Sequence, residues 1–295
     1  MKKTVTNFTN NITYDIVKRE PITENEITKV IKTSKIGKST GPDGVSNRLI
    51  RLLHKENIQK FTCVLNNLYQ ENVVPEQWKK GTITSIFKGK GTRGNPKNDR
   101  GITISSNVLK IMEKVLKNKM INDIYITEYQ GGGRPRIGTR DHIIIISSLI
   151  QKYKRDKKPL HMVFLDVKKA FDKGWFNGIL HLLKERGLGN EYTSYLKELN
   201  KNYQVNIKTP HVITDIVSCE DVLKQGSVLS PIEFGITTDE IAIMLGKKNI
   251  GINIGDTKLP CTLWVDDIQC ANETYDEAQQ AVNIISSTAD KYIYF

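Results

Sequence analysis

In the stretch "TLWVDDIQCA", two adjacent carboxylates, Asp266 and Asp267, interrupt a run that otherwise reads as half-buried β-strand. A further acid, Asp166, ends the apolar run "MVFL" as Asp266 follows "TLWV". Ionised acids in such places are costly unless something cationic compensates. Two strands of one sheet can bring these side chains together at the strand ends. Oxygen-rich side chains so placed can hold two divalent ions roughly 3.5–4 Å apart, the arrangement that serves in-line phosphoryl transfer. Magnesium suits all-oxygen ligation that leaves room for substrate phosphates. The same acids also read as a polar hairpin turn, with Asp166 capping the helix after it, and spacing alone leaves both readings open.

The elements that must position these acids follow from periodicity and turn chemistry. The first twenty residues are polar and read as a tail or linker. Thr23 and Glu26 match a capping box, Ile27, Val30 and Ile31 follow at helical spacing, and Gly37 is the expected stop. "STGPDG" is a turn. Helical patterns run around Leu49 to Leu53, along Ile58, Phe61, Val64, Leu65 and Leu68, and again from Val108 to Leu116. Between the last two lie the strand-like "TITSIF" and a basic Gly/Pro loop. "HMVFLDV" reads as a buried strand with two helical patterns after it, the second marked by Tyr192, Tyr195, Leu196 and Leu199. "YQVNI" and "HVITDIVSC" resemble a hairpin. Ser230, Pro231 and Glu233 offer an N-cap, an N1 proline and a capping-box acid for a helix reaching about Leu245. "GINIG" and "LPCTLWV" are strand-like, Thr274 with Glu277 caps a last helix, and "YIYF" reads as a further strand. Interleaved strands, hairpins and helices give an α+β class, with an antiparallel sheet behind a mostly helical N-terminal half.

The 295 residues carry a net charge of +12, and the excess is concentrated. From Lys79 to Lys119 there are eleven lysines and arginines against two acids, Asp99 and Glu113. The segment "FKGKGTRGNPKNDRG" within it combines charge with Gly and Pro. That suits a polyanion such as nucleic acid or a nucleotide triphosphate, although a solvated basic loop would look the same. Cys63, Cys219, Cys261 and Cys270 form no CxxC pair and no zinc spacing, so a reducing intracellular compartment, nucleus or cytoplasm, is expected. The N-terminus lacks the apolar core of a signal peptide, and the longest apolar run, "IIIISSLI", is too short to span a bilayer.

An ordered set of motifs carries a family resemblance. "KSTGPDGVSNRLIRLL" resembles the N-terminal extension motif of the reverse transcriptase domain of non-LTR (LINE-type) retrotransposons. "FKGKGTRGNPKNDRGITISSNVLKIMEKVLKNKM" resembles its fingers segment, and "YQGGGRPRIGTRDHI" its Gln-x-Gly-Phe-Arg-Pro stretch. "VFLDVKKAFD", "LKQGSVLSPIEF" and "WVDD" look like palm motifs A, B and C. The resemblance runs from about Ile22 to the end. It implies a right-hand polymerase fold of fingers and palm, the palm an antiparallel sheet backed by helices. Residues 1–20 would be the tail, 21–160 the fingers with N-terminal extension, and 161–295 the palm. The lysine-bearing motif D and the thumb would come after Phe295, so a thumbless piece is expected.

The resemblance also implies roles. Asp166 and Asp266 would be the principal ligands of two Mg²⁺ ions, or Mn²⁺ in their place. The carbonyl of Val167 would add a ligand, and Asp267 would complete the acid cluster. Phe171 would be the aromatic gate against the 2′-hydroxyl of the incoming sugar. Gln225 and Gly226 would line the nucleotide or template, Lys88 and Arg100 would clamp the triphosphate, and Arg134, Arg136 and Arg140 would contact the template backbone. The implied partners are an RNA template, a DNA primer and dNTP, with no membrane. Trp264 and Val265 stand where the family usually has Tyr or Phe and Ala; Gly101 replaces a proline and Gly133 an aromatic. Three readings follow: an RNA-directed DNA polymerase domain, a degraded or domesticated copy that binds nucleic acid without catalysis, and an RNA-dependent RNA polymerase.

Overall fold

The computed structural model describes residues 19–167, 174–209, 212–219 and 223–292. The chain divides into two compact units, each built from two stretches: the residues up to Asp123 with Gly187–Leu229, and Ile124–Arg186 with the residues from Ser230 onward. Each unit is therefore discontinuous in sequence. The reason lies in strand pairing, because the chain returns after Arg186 to complete the first unit's sheet.

In the first unit, α1 (Glu24–Thr33) starts on the expected capping box. Glu26 N–H donates to Thr23 Oγ1 at 3.3 Å, and Thr23 N–H donates to the Glu26 carboxylate at 2.8 Å. The helix ends at Ser34, before Gly37. Short α2 (Asn47–Arg51) and long α3 (Lys55–Gln70) follow. Strand β1 (Lys80–Phe87) is central. It pairs antiparallel with β2 (Asp99–Ser105) from Gly81↔Ser105 to Phe87↔Asp99. On its other side it runs parallel to β4 (Tyr203–Lys208), which pairs antiparallel with β5 (Val217–Cys219). Sequence patterning misses β2: its first half is charged and glycine-bearing, and only Ile102 and Ile104 betray the strand period. The expected hairpin of β4 and β5 is present, with its second strand confined to three residues and an isolated bridge at Ile213. Helix α4 (Asn107–Asp123) buries Leu109, Ile111, Met112, Leu116 and Met120. Helix α7 (Asn190–Asn200) buries Tyr195, whose ring meets Tyr69 edge-on at 5.1 Å. Each large apolar side chain so buried contributes about 1.5–3 kcal/mol.

In the second unit, β3 (His161–Asp166), β9 (Asp267–Asn272) and β8 (Thr262–Trp264) form an antiparallel sheet in the order β3-β9-β8. A separate hairpin joins β6 (Ile252–Ile254) to β7 (Thr257–Leu259). Helix α5 (Thr139–Arg155) packs Leu149 and Tyr153 against Ile252 and Ala271. The run "IIIISSLI" lies on this helix, with Ile143 and Ile144 exposed. Helix α8 (Ser230–Lys247) touches α6 (Phe176–Glu185), α9 (Tyr275–Tyr292) and β8. Its Phe234, Ile236, Ile241 and Leu245 have no exposed surface, as an all-round apolar helix requires. Its buried Asp239 is compensated within the unit by Arg186, which donates to it at 2.8 Å, and by Thr127.

One expectation fails here. Ser230 is the first helical residue of α8, and its hydroxyl is buried with no hydrogen-bond partner, so it does not cap the helix as a capping box would. Helix α9, whose Glu277 N–H donates to Thr274 Oγ1 at 3.2 Å, runs to Tyr292, and the rest of the expected "YIYF" strand, residues 293–295, lies outside the described residues. No helix among the described residues is long and apolar enough to cross a membrane.

Candidate active site

The register of the second unit's sheet fixes the acids. Asp166, the last residue of β3, stands directly across from Asp267, the first of β9. Trp264 pairs with Asp267 in turn, so Val265 and Asp266 alone make the loop between β8 and β9. Val167 N–H donates to the Asp266 carbonyl at 3.2 Å and ties the end of β3 to that loop. Asp166 and Asp267 are exposed and Asp266 is half-buried. Like charges directly opposite one another destabilise an antiparallel pair, and a bound cation reverses the sign.

Two-residue hairpin loops require a left-handed residue, for which glycine is preferred. Here that residue is Val265, at φ 58°. A β-branched side chain in this region is an outlier, costing about 1–2 kcal/mol. The surroundings hold it there. Gln130 Oε1 accepts from Val265 N–H at 3.0 Å and from Gly132 N–H at 2.9 Å. Gln130 Nε2 donates to Gly235 O at 3.2 Å and to Thr238 Oγ1 at 3.0 Å. The Thr238 hydroxyl donates to the Val265 carbonyl at 2.6 Å. Tyr129 and Gly131 exchange backbone hydrogen bonds with Leu263, laying the Gln130 segment beside β8 as a parallel bridge. Gly132 is required by proximity, since a Cβ there would lie 2.6 Å from the Val265 nitrogen.

Trp264 lies over this glycine run. A Cβ on Gly131 would meet its ring at 3.0 Å, and His142 of α5 meets it edge-on at 5.6 Å. Burial pushes the His142 pKa down, against a smaller opposing pull from Asp141. The bulk of Trp264 is thus accommodated between α5 and the glycines. A cleft of about 350 Å³ opens beside the pair, bounded by His142, Ile143, Ile146, Phe164 and Trp264 and including Asp166 and Asp267.

Among the described residues, no three His, Cys, Asp or Glu side chains are gathered as a metal cluster. What is present is a facing carboxylate pair with a third acid on the adjoining turn. Such a donor set fits magnesium, which takes one or two protein carboxylates together with substrate phosphates and keeps several waters.

The remaining expected residues fall into separate groups. In the first unit, Arg100 stands opposite Ile86 in the β1–β2 hairpin, and Lys88 follows the end of β1, its N–H donating to the Asn98 carbonyl at 2.8 Å. Lys88 Nζ donates to the Lys97 carbonyl at 3.1 Å. Gln225 and Gly226 lie against β2: Thr103 N–H donates to Gln225 O at 2.8 Å, and Gly226, at φ 118°, would with a Cβ lie 2.5 Å from Thr103 O. In the second unit, Arg134 donates to the Thr127 carbonyl at 3.0 Å, while Arg136 and Arg140 are exposed. Phe171 lies outside the described residues.

Sequence reasoning missed Gln130, Thr238, His142 and Glu113. Glu113, buried in α4, accepts from Ser227 Oγ at 2.9 Å and Val228 N–H at 3.0 Å, and so fixes the turn carrying Gln225 and Gly226. The polar residue beside a glycine run at 130 was a legible signal. Thr238 and Glu113 sit within helical patterns that read as ordinary.

An acid-tipped hairpin paired to an acid-ended strand is thus the feature this fold builds around Asp166, Asp266 and Asp267. Residues 86–294 match the family described as "Reverse transcriptase (RNA-dependent DNA polymerase)", and the chain belongs to that family. It is 25% identical over 288 residues to the "Probable RNA-directed DNA polymerase from transposon BS" of Drosophila melanogaster, covering 93% of this chain and 31% of that protein. It is 27% identical over 250 residues to the "Retrovirus-related Pol polyprotein from type-1 retrotransposable element R2" of Popillia japonica, covering 84% and 34%. With the "RNA-directed DNA polymerase from mobile element jockey" of Drosophila melanogaster it shares 25% over 232 residues, covering 75% and 24%. The chain thus spans about a third or less of the length of these relatives. It is a reverse transcriptase domain similar to those of non-LTR retrotransposons.

Proposed function

We propose that this domain extends a DNA primer with dNTPs on an RNA template, by attack of the primer 3′-hydroxyl on the α-phosphate with pyrophosphate leaving. The observation that carries the reading is the Asp166–Asp267 pairing with Asp266 on the adjoining turn, in a chain of the reverse transcriptase family. The β1–β2 hairpin and the N-terminal helices correspond to fingers, and the β3-β9-β8 sheet with α8 and α9 to the palm. Asp166 and Asp266, the Val167 carbonyl and Asp267 would hold the divalent ions, magnesium by preference. When bound, these lower the pKa of the attacking hydroxyl and neutralise charge developing on the phosphate.

Arg100 binds triphosphate oxygens bidentately, which Lys88 supports as a point charge. Gly226 lets the backbone approach the nucleotide closely, Gln225 lies along nucleotide or template, and Phe171 excludes the ribose 2′-hydroxyl by steric conflict. Arg136 and Arg140 offer exposed charge to the template backbone, whereas Arg134 is engaged with its own loop. Positioning and charge neutralisation supply most of the catalysis.

The test is extension of a DNA primer on an RNA template with Mg²⁺ and dNTPs. Asp166→Asn and Asp266→Asn should each abolish it, and Arg100→Ala should raise KM for dNTP. Extension that survives Asp266→Asn sinks the assignment of the acids. Tight RNA binding without extension would mark a binding copy, and a preference for ribonucleotides would mark an RNA polymerase. Phe171→Ala should admit rNTPs, and unchanged sugar selectivity would exclude the gate.

A further inference from the structure

We infer that Gln130 and Thr238 are positioning residues for the metal-binding acids: together they hold Val265 in its left-handed conformation and thereby set where Asp266 points. The inference rests on the reading of Asp266 as a metal ligand. Both backbone polar groups of Val265 are taken by side chains and not by the sheet ladder, its N–H by Gln130 Oε1 and its carbonyl by Thr238 Oγ1. Gln130 and Thr238 are also bonded to each other, so the loop residue, the glutamine and the threonine close a ring of hydrogen bonds.

That ring is anchored in rigid surroundings. Gln130 is 1% exposed and Thr238 has no exposed surface. The four hydrogen bonds of the Gln130 amide use both of its N–H donors and accept two N–H groups on its oxygen. Gly235 and Thr238 lie on consecutive turns of α8, and Gly132 continues the Gln130 segment. A water-exposed loop would supply its own partners. Val265 is itself 8% exposed, so no solvent can replace either contact without disrupting the packing.

The consequence for Asp266 is geometric. A two-residue loop has no slack, and relaxing Val265 toward the β region would swing the next Cα and its carboxylate away from Asp166 while leaving both strands paired. Groups that orient a metal ligand in this way typically cost 10–100-fold in metal affinity or activity when removed. Their loss should therefore appear in metal binding before it appears in folding.

The cleanest pair of variants is Thr238→Val, which removes only the hydroxyl at near-constant volume, and Thr238→Ser, which keeps it. Gln130→Glu keeps the acceptor for Val265 N–H but loses the donors, and Gln130→Met loses both. Terbium(III) titrated into the full chain, with luminescence sensitised by nearby Trp264 and competed by Mg²⁺, reads metal affinity without turnover; primer extension reads kcat and KM for dNTP.

The expected result is about tenfold or greater weakening of terbium and Mg²⁺ binding in Thr238→Val and Gln130→Met. A matching fall in kcat, little change in KM for dNTP, and near-normal values for Thr238→Ser should accompany it. Folded Thr238→Val and Gln130→Met proteins with wild-type metal affinity would overturn the inference. If Gln130→Met does not fold, the Thr238 pair decides alone. Asp266→Asn separates the two levels: metal affinity unchanged in that variant overturns the ligand assignment and the inference with it, whereas affinity lost there but kept in Thr238→Val overturns the inference only.

Discussion

Ser227 donates its hydroxyl to the fully buried carboxylate of Glu113 at 2.9 Å, across 114 residues of sequence. The Glu113 pKa is raised above its ordinary 4.5, burial being the dominant cause; the Val228 N–H, the charge of Lys224 and Ser227 oppose it without cancelling it. The folded state then holds the proton more tightly than the unfolded chain. Glu113 accordingly contributes stability that is full below pH 4.5 and is lost as pH rises through its own raised value. Urea midpoints measured from pH 4 upward should fall along that window in the wild type and vary less in Glu113→Gln.

Gly226 tests the same turn from the other side. Alanine there must adopt φ 118° and meet Thr103 O at 2.5 Å. The substitution should destabilise the domain by about 1–3 kcal/mol, as seen in chemical denaturation. It should also raise KM for dNTP, because the turn carrying Gln225 shifts.

Trp264 is a packing residue of the acid hairpin. Its ring meets His142 and lies over Gly131. Trp264→Ala should cost about 2 kcal/mol, less than a fully buried tryptophan because this one is only half-buried. Trp264→Tyr, which retains an edge-to-face partner for His142, should lose less in urea melts and keep primer extension within a few-fold.

Asp239 has no exposed surface and answers Arg186 at 2.8 Å; Arg186 also donates to Glu240 and to the Tyr125 carbonyl at 3.1 Å. Removing one member of a buried pair strands its partner, so Asp239→Ala should destabilise by about 3–5 kcal/mol. The loss should persist at high salt, since a buried pair is screened far less than a surface one.

The sequence made the acids legible through two local signals, apolar strands that end in Asp166 and in Val265-Asp266. Helices announced themselves where capping chemistry was complete, as at Thr23 and Thr274. Strand β2 did not, because Asp99, Arg100 and Gly101 carry the residue types of a loop and the strand is defined by its partner β1. Ser230 misled in the opposite direction: the right residues for a cap stood at the right spacing, yet the helix begins at the serine itself. The residues that hold the acid hairpin were the least visible. Gln130 lies 135 residues from the amide it binds, and Thr238 is a β-branched polar residue inside an apolar helix, where pattern alone gives it no task. Pairing partners of that separation are set by topology, which periodicity does not encode.

That separation has a consequence during synthesis. Strand β9 is the middle strand of its sheet but the last of the three to be made, so β3 leaves the ribosome 101 residues before Asp267 arrives opposite Asp166. At about 5–20 residues per second this is a wait on the order of 5–20 s. Throughout it β3, an edge strand whose one partner in this sheet is β9, is open to pairing with any other nascent chain. The carboxylate pair exists only once β9 has been made, and a chain released before residue 267 has Asp166 but nothing to pair it with.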